Sequence, residues 1–382
     1  MRFSAITGIF LALLLSCCKE KPESLKPSDK PEKGAVEAPH IFVAKEDGYH
    51  TFRIPALSKT TKGTLLAFCE GRKLSASDTG DIDLVLRRSL DGGKTWSKLI
   101  KVWDDKNNTC DNPSPVVDPE TGRVHLLMTW NYTSDGKSAS DFNTPGKTVD
   151  TRRIWYTFSD DDGLTWKTPV EITSSVKKEN WGWYATGPCH GIILQSSAFK
   201  GRIVIPCDHN EIGGSGYSHV IYSDDKGATW AIGGEVLRGN ECAIAELADG
   251  SIVMTCRASG GYRILASSVD GGITFKSAGA NKDLPDPTCQ GSLLAVTHNG
   301  EVALVHSNCA NSSGRTNMTL KGSHDGGASW CSGQTVWSGY TAYSDLVLVD
   351  DKTLGLLYEN GDSGSYERIS FEKIPINYAF IR

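Results

Sequence analysis

The sequence offers little to a metal, a nucleotide or a nucleic acid. It has no Cys-x-x-Cys pair and no His at zinc-finger spacing. No HExxH, P-loop or GxGxxG stands in a context that would mark a metal, nucleotide or dinucleotide site, so neither metal nor cofactor is expected. An excess of one charge is also lacking: 40 Lys and Arg against 45 Asp and Glu leave a formal net charge of −5. That balance argues against nucleic acid or an anionic membrane surface as the main partner. The length of 382 residues, with average apolar content and 40 glycines, supports one large globular unit or two small ones.

Long hydrophobic runs are scarce as well. Residues 1–18, "MRFSAITGIFLALLLSCC", carry an early Arg and an apolar run from Ile9 to Leu15, too short to span a bilayer as a helix but laid out as an export signal. The stretch "LLSC" resembles a bacterial lipoprotein signal, which implies acylation at Cys17, although Leu15 departs from the small residue usual before the cut; a simple cleaved signal is the alternative. Residues 19–40, rich in Lys, Glu, Pro and Ser, cannot bury enough surface to fold and read as a tether. The expected product is an exported protein anchored at a bacterial surface or periplasmic membrane by its lipid. Nine cysteines remain beyond the signal, an odd number at wide spacing. Most are expected as small core residues, with a disulfide or two among them.

What the chain has in quantity is a repeat. Ser-x-Asp-x-Gly-x-Thr-Trp occurs as "SLDGGKTW" (89–96), "SDDDGLTW" (159–166) and "SDDKGATW" (223–230), and more loosely as "SVDGGITF" (268–275) and "SHDGGASW" (323–330). Each copy follows alternating apolar residues, as in "DIDLVLRRS", and its Asp-Gly supplies a tight hairpin turn. Strand-turn-strand units recurring with no amphipathic helix between them point to an all-β array closed on itself. At about 55 residues per unit, residues 41–382 are expected to form a six-bladed β-propeller with one unit lacking the turn motif. Recurrence makes Asp91, Asp161, Asp225, Asp270 and Asp325 structural, and the closing aromatic of each repeat is expected to pack back under its turn.

The stretch "YHTFRIPAL" (49–57) places a permanent charge, Arg53, inside a strand-like segment. "FRIP" followed by repeated Asp boxes resembles the sialidase (neuraminidase) family, over residues 41 to about 382. In that family a sugar bearing a carboxylate on its anomeric carbon is clamped by three arginines, whose planar forks match a carboxylate and stay charged at any working pH. The resemblance implies the other two at Arg257 in "SIVMTCRASGG" and Arg315 in "NSSGRTNMTL", with Glu359 in "LGLLYEN" supporting the first. It implies Tyr343 in "YTAYSDL" as the nucleophile, with Tyr340 the competitor. A neutral phenol avoids the repulsion that a carboxylate would meet at such a centre, but it needs a base. Glu241 in "GNECAIAEL" fits that role, with Glu246 the alternative.

The acid implied is Asp78 in the Ser- and Gly-rich segment "GRKLSASDTGDIDLVLRRS", while Asp81 and Asp83 more naturally open the next strand. Donation at neutral pH needs a raised pKa, which burial under substrate would supply. "NWGWYATGPCHG" (180–191) resembles the loop lining the aglycone and acyl side, which makes Trp183 and Tyr184 candidate substrate contacts, with an ordinary buried loop as the alternative; Asn112 in "CDNPSPVVD" is a further candidate. His190 and His209 are expected to be structural. The resemblance implies a monomeric exo-alpha-sialidase acting on sialylated glycoconjugates by two displacements. A trans-sialidase would share every catalytic residue, and a non-catalytic glycan-binding propeller would keep the turns and perhaps the arginines.

Overall fold

The computed structural model describes residues 40–133, 144–147, 150–195 and 198–381. Cys17, the signal and all but the last residue of the tether lie outside them. The described chain is built almost wholly of antiparallel strands in four sheets, with one short α-helix, Thr173–Val176, and a 3-10 turn at Ile376–Phe380. Two sheets are compound. In the largest, strands Thr51–Lys59, Leu65–Arg72, Ile82–Ser89 and Ile100–Trp103 form one antiparallel unit, joined by the single parallel pair Ile82 and Thr109 to the next. In the other, the 17-residue strand Gln334–Asp350 serves two units. Its first part pairs with Thr316–Ser323 and its second with Thr353–Gly361. Divided at these joints, the sheets among the described residues make six four-stranded antiparallel units, the third carrying the extra short strand Ile192–Ile193.

Burial falls across each unit. In the first, Thr51–Lys59 and Leu65–Arg72 are buried on both faces, whereas Ile100–Trp103 is mostly half-buried or exposed. Strands covered on both faces need near-continuous apolar or fully paired side chains, and outer strands can alternate. Arg153–Ser159 does alternate, with Ile154 and Tyr156 inward.

The five Asp boxes share one hydrogen-bond pattern. At Asp161, Ser159 Oγ donates to Oδ1 (2.8 Å), Thr165 N donates to the same oxygen (2.8 Å), Thr165 Oγ1 donates to Oδ2 (2.5 Å), and Gly163 N donates to Ser159 Oγ (2.9 Å). The same bonds recur at Asp91, Asp225, Asp270 and Asp325, with Ser329 replacing Thr in the last. Slight burial opposes them, but these donors pull the Asp161 carboxyl down to about 2. A side chain so fully engaged with its own turn is a structural one.

The closing aromatics reach further than the turn. Trp166 packs edge-on against Phe68, and Trp230 packs at a tilt against Tyr156, each in the preceding unit. Trp96, in the first unit, packs edge-on against Phe371 of the last at 5.2 Å. Gly93 permits this approach: it has φ +88°, and a Cβ there would lie 2.1 Å from the Phe371 ring. The strand His40–Val43 meanwhile pairs with Arg368–Pro375 as the fourth strand of the last unit. That arrangement explains the missing sixth Asp box. The motif joins the third strand of a unit to its fourth, and in the last unit the fourth strand comes from the other end of the chain.

Asp345, fully buried, ties the units at their centre. It accepts from Leu57 N (2.8 Å), His190 N (3.1 Å) and Ser292 Oγ (2.7 Å), and it pairs with His190 Nδ1 (2.7 Å). His190 is therefore structural; burial opposes its charge, but Asp345 outweighs that and holds its pKa above the ordinary value. His209 is stacked on Trp181 at 3.5 Å. Among the described residues the nine cysteines are buried and no disulfide joins any two of them, so the disulfide or two expected from the sequence is not found there. Most serve as small core residues: Cys69, Cys110, Cys207 and Cys189 each lie in a different cluster, Cys242 and Cys256 share one, and Cys289 and Cys309 share another.

Candidate active site

The bulges that start the first strands of several units build the site. Pro55 has no N–H for the ladder, and the pairing of Thr51–Lys59 with Leu65–Arg72 slips between Arg53 and Ala56. Ile54 takes φ +61° there, an unusual conformation for a β-branched residue. The slip frees Arg53 to turn its guanidinium into a cavity of about 370 Å³. The same device recurs at Asn112-Pro113, with φ +50° at Asn112 and a slip between Asp111 and Ser114, and a further slip spans Tyr343. Backbone strain at such positions is kept only where the surrounding structure overdetermines it.

Arg53, Arg257 and Arg315 all line this cavity, and each is held differently. Arg53 Nε donates to Glu359 Oε1 at 2.7 Å, with both side chains buried. Arg257 Nη1 donates to Glu241 Oε2 (2.7 Å) and to Tyr343 OH (2.9 Å). Arg315 Nη1 donates to the hydroxyl of Tyr366 (2.7 Å), whose ring also lies 3.8 Å from the Arg53 guanidinium carbon. Tyr343 OH donates to Glu241 Oε1 at 2.6 Å. Burial and the Glu241 charge push this phenol far above its ordinary pKa, Arg257 opposing them.

Asp78 lies on the segment between Leu65–Arg72 and Ile82–Ser89, at the cavity rim, with its side chain 64% exposed. Arg72 pins that segment, donating from Nη1 to Ala76 O (2.6 Å) and pairing with Asp78 Oδ1 (2.8 Å). What burial Asp78 has would raise its pKa, but Arg72, with Arg53 and Arg152, outweighs it and holds the carboxyl below the usual range. The raised value that acid catalysis needs is therefore absent from the open site, because three guanidiniums face this carboxylate. Glu70, buried beside Arg72, is pushed up to about 7 by burial, Arg72 opposing and Asp111 adding to it.

Of the sequence candidates, Arg53, Asp78, Asn112, Trp183, Glu241, Arg257, Arg315 and Tyr343 line the cavity, and Glu359 stands directly behind Arg53. Tyr184 does not. Its ring is fully buried, with its hydroxyl bonded to His219 Nε2 (3.1 Å). Strand alternation explains the correction: in Trp181–Thr186, Trp183 faces the cavity and its neighbour Tyr184 the core. Tyr340 is 49% exposed and away from the cavity, and Glu246 accepts from Gln195 N at the surface. Asp83 lies in its strand, accepting from Tyr49 OH (2.5 Å).

Sequence reasoning missed Glu70, Arg72, Asp111, Arg152, Asn240 and Tyr366, all of which line the cavity. Glu70 and Arg72 carried a readable signal: they are two apart on a strand opposite Arg53, hence on one face. Arg152 carried none. Its guanidinium is bonded to Asp111, Asn112, Thr129 and Asn131, residues brought to it by sheet pairing alone.

Residues 63–358 match the family model described as "BNR repeat-like domain", so the chain is a BNR-repeat protein. It is 34% identical over 296 residues to the exo-alpha-sialidase of Aspergillus fumigatus, covering 74% of this chain and 70% of that one. It is 32% identical over 356 residues to the sialidase of Bacteroides fragilis, covering 87% of this chain and 63% of that one. The solved structure of Hadza microbial sialidase Hz136 superposes with a TM-score of 0.81 at 27% identity, covering 88% of this chain and 68% of that one. The chain belongs to the sialidase family.

Proposed function

We propose that this chain is a retaining exo-alpha-sialidase built on a closed six-bladed β-propeller, with sialylated glycoconjugates as substrates. The pairing of His40–Val43 with the last unit and the Trp96–Phe371 contact support closure. The observation that carries the chemistry is the 2.6 Å bond from Tyr343 OH to Glu241 beside three converging guanidiniums. In this mechanism Arg53, Arg257 and Arg315 hold the substrate carboxylate. Tyr343 oxygen attacks the anomeric carbon as Glu241 takes the phenolic proton, and the bond to the aglycone oxygen breaks as Asp78 protonates that oxygen. Water then gives a proton to Asp78 and its oxygen displaces Tyr343, which recovers its proton from Glu241. Two displacements return the original anomeric configuration.

Purified protein should release free sialic acid from a sialoside, and proton NMR should show the α-anomer forming first. A β-anomer forming first would rule out the double displacement, and no release by folded protein would overturn the assignment.

Asp78 is ionised in the open site, so substrate must restore its proton: a bound carboxylate answers the guanidiniums, and the aglycone covers the exposed side chain. The pH profile tests this. Arg72 favours the charged form of Asp78, so Arg72→Met should raise its pKa and keep the acid form present to higher pH. On a substrate with a poor leaving group, the basic limb of kcat/KM should move to higher pH although the absolute rate falls. A limb that stays in place would remove Asp78 as the acid governed by Arg72.

A further inference from the structure

Asp208 lies behind the part of the cavity wall that Trp183 and Asn240 form. It is fully buried in the strand Ile203–Glu211, opposite Ala185 and Ser218. Its Oδ2 accepts from Trp183 Nε1 (2.8 Å) and from Asn240 Nδ2 (2.9 Å). Its Oδ1 is buried and has no hydrogen-bond partner. The two donors lead to different parts of the site. Trp183 carries the Arg152 guanidinium over its ring at 4.3 Å. Asn240 is held a second time, its carbonyl accepting from Ser218 Oγ at 2.5 Å, and the next residue in the chain is Glu241.

We infer that Asp208 is a positioning residue for the sialidase reaction proposed above: one buried carboxyl oxygen fixes both the Trp183 wall and the turn that delivers Glu241 to Tyr343. A buried carboxylate with one bare oxygen is costly, whereas the neutral acid buries no charge and still accepts from both neighbours through Oδ2, at the smaller cost of one unpaired O–H. Burial, with the Glu241 charge adding and Trp183, Arg257 and Arg152 opposing, pushes Asp208 up to about 8. Asp208 therefore acts as a neutral acceptor. An amide, which also accepts without a charge, can therefore replace Asp208 where a methyl group cannot.

The test is steady-state kinetics of the full chain on sialyllactose, with melting temperatures, for the parent, Asp208→Ala, Asp208→Asn and Trp183→Phe. Asp208→Ala should lower kcat/KM by about 10- to 100-fold through both constants, because it frees Trp183 and the turn before Glu241 together. Asp208→Asn should rescue activity to within about threefold of the parent. Trp183→Phe keeps an aromatic ring in the wall but loses the Nε1 donor and part of the indole, so the main effect should be a higher KM. Combining it with Asp208→Ala should add less than the sum of the two. An active parent matched by Asp208→Ala overturns the inference, and so does Asp208→Asn as damaging as Ala. If Asp208→Ala does not fold, an unchanged KM in Trp183→Phe overturns it. An inactive parent instead removes the sialidase reading and the inference with it.

Discussion

Tyr343→Phe should lower kcat by about three orders of magnitude, a barrier increase of about 4 kcal/mol, in a protein that folds normally. Burial and the facing Glu241 hold the Tyr343 phenol strongly protonated. Its oxygen can attack only if the proton leaves in the same step, and Glu241 Oε1 at 2.6 Å is the acceptor within reach. The two residues therefore act as one unit. Glu241→Gln should fall by about 100-fold or more, and the double variant should be little worse than Tyr343→Phe alone. Arg257 has a place in this pair, since Nη1 donates to both members and gives the developing phenolate a fixed partner. Steady-state rates on an activated and a natural sialoside check the prediction. A Tyr343→Phe rate within tenfold of the parent on both would move the nucleophile elsewhere.

The parts of this site that the sequence disclosed are those whose local pattern is itself the functional device. Arg53 was legible because Pro55 forces the bulge that aims it, so that motif and geometry are one object. The Asp boxes were legible because each turn satisfies itself, as Asp161 does with Ser159 and Thr165. Arg152 and Asp111 were not, because their meeting depends on sheet register over 41 residues. Tyr366 was hidden for a related reason. Its two partners, Arg53 and Arg315, lie 313 and 51 residues away, and only the stacking of units brings them together. Tyr184 was misplaced by one step of strand alternation, the smallest error a period-two element allows and one that reverses the face.

Glu359 carries the largest stability effect expected. It is fully buried, and its two oxygens serve three donors: Arg53 Nε (2.7 Å) and Ile54 N (2.8 Å) on Oε1, and Tyr343 N (3.1 Å) on Oε2. One carboxylate thus holds the bulge that carries Arg53, the charge of that residue, and the backbone of Tyr343. Glu359→Ala should destabilise the fold by about 3 to 5 kcal/mol, because it strands the Arg53 guanidinium, which is only 5% exposed, together with two backbone donors. Most of that loss is the penalty of an unpaired buried charge rather than the worth of the pair. Arg53→Met combined with Glu359→Leu should accordingly recover part of the stability lost in Glu359→Ala while remaining inactive. Urea unfolding of the three variants separates the outcomes. A Glu359→Ala midpoint close to the parent's would mean that Arg53 finds another partner, most directly the face of Tyr366, and that the carboxylate orients the clamp without supporting the fold.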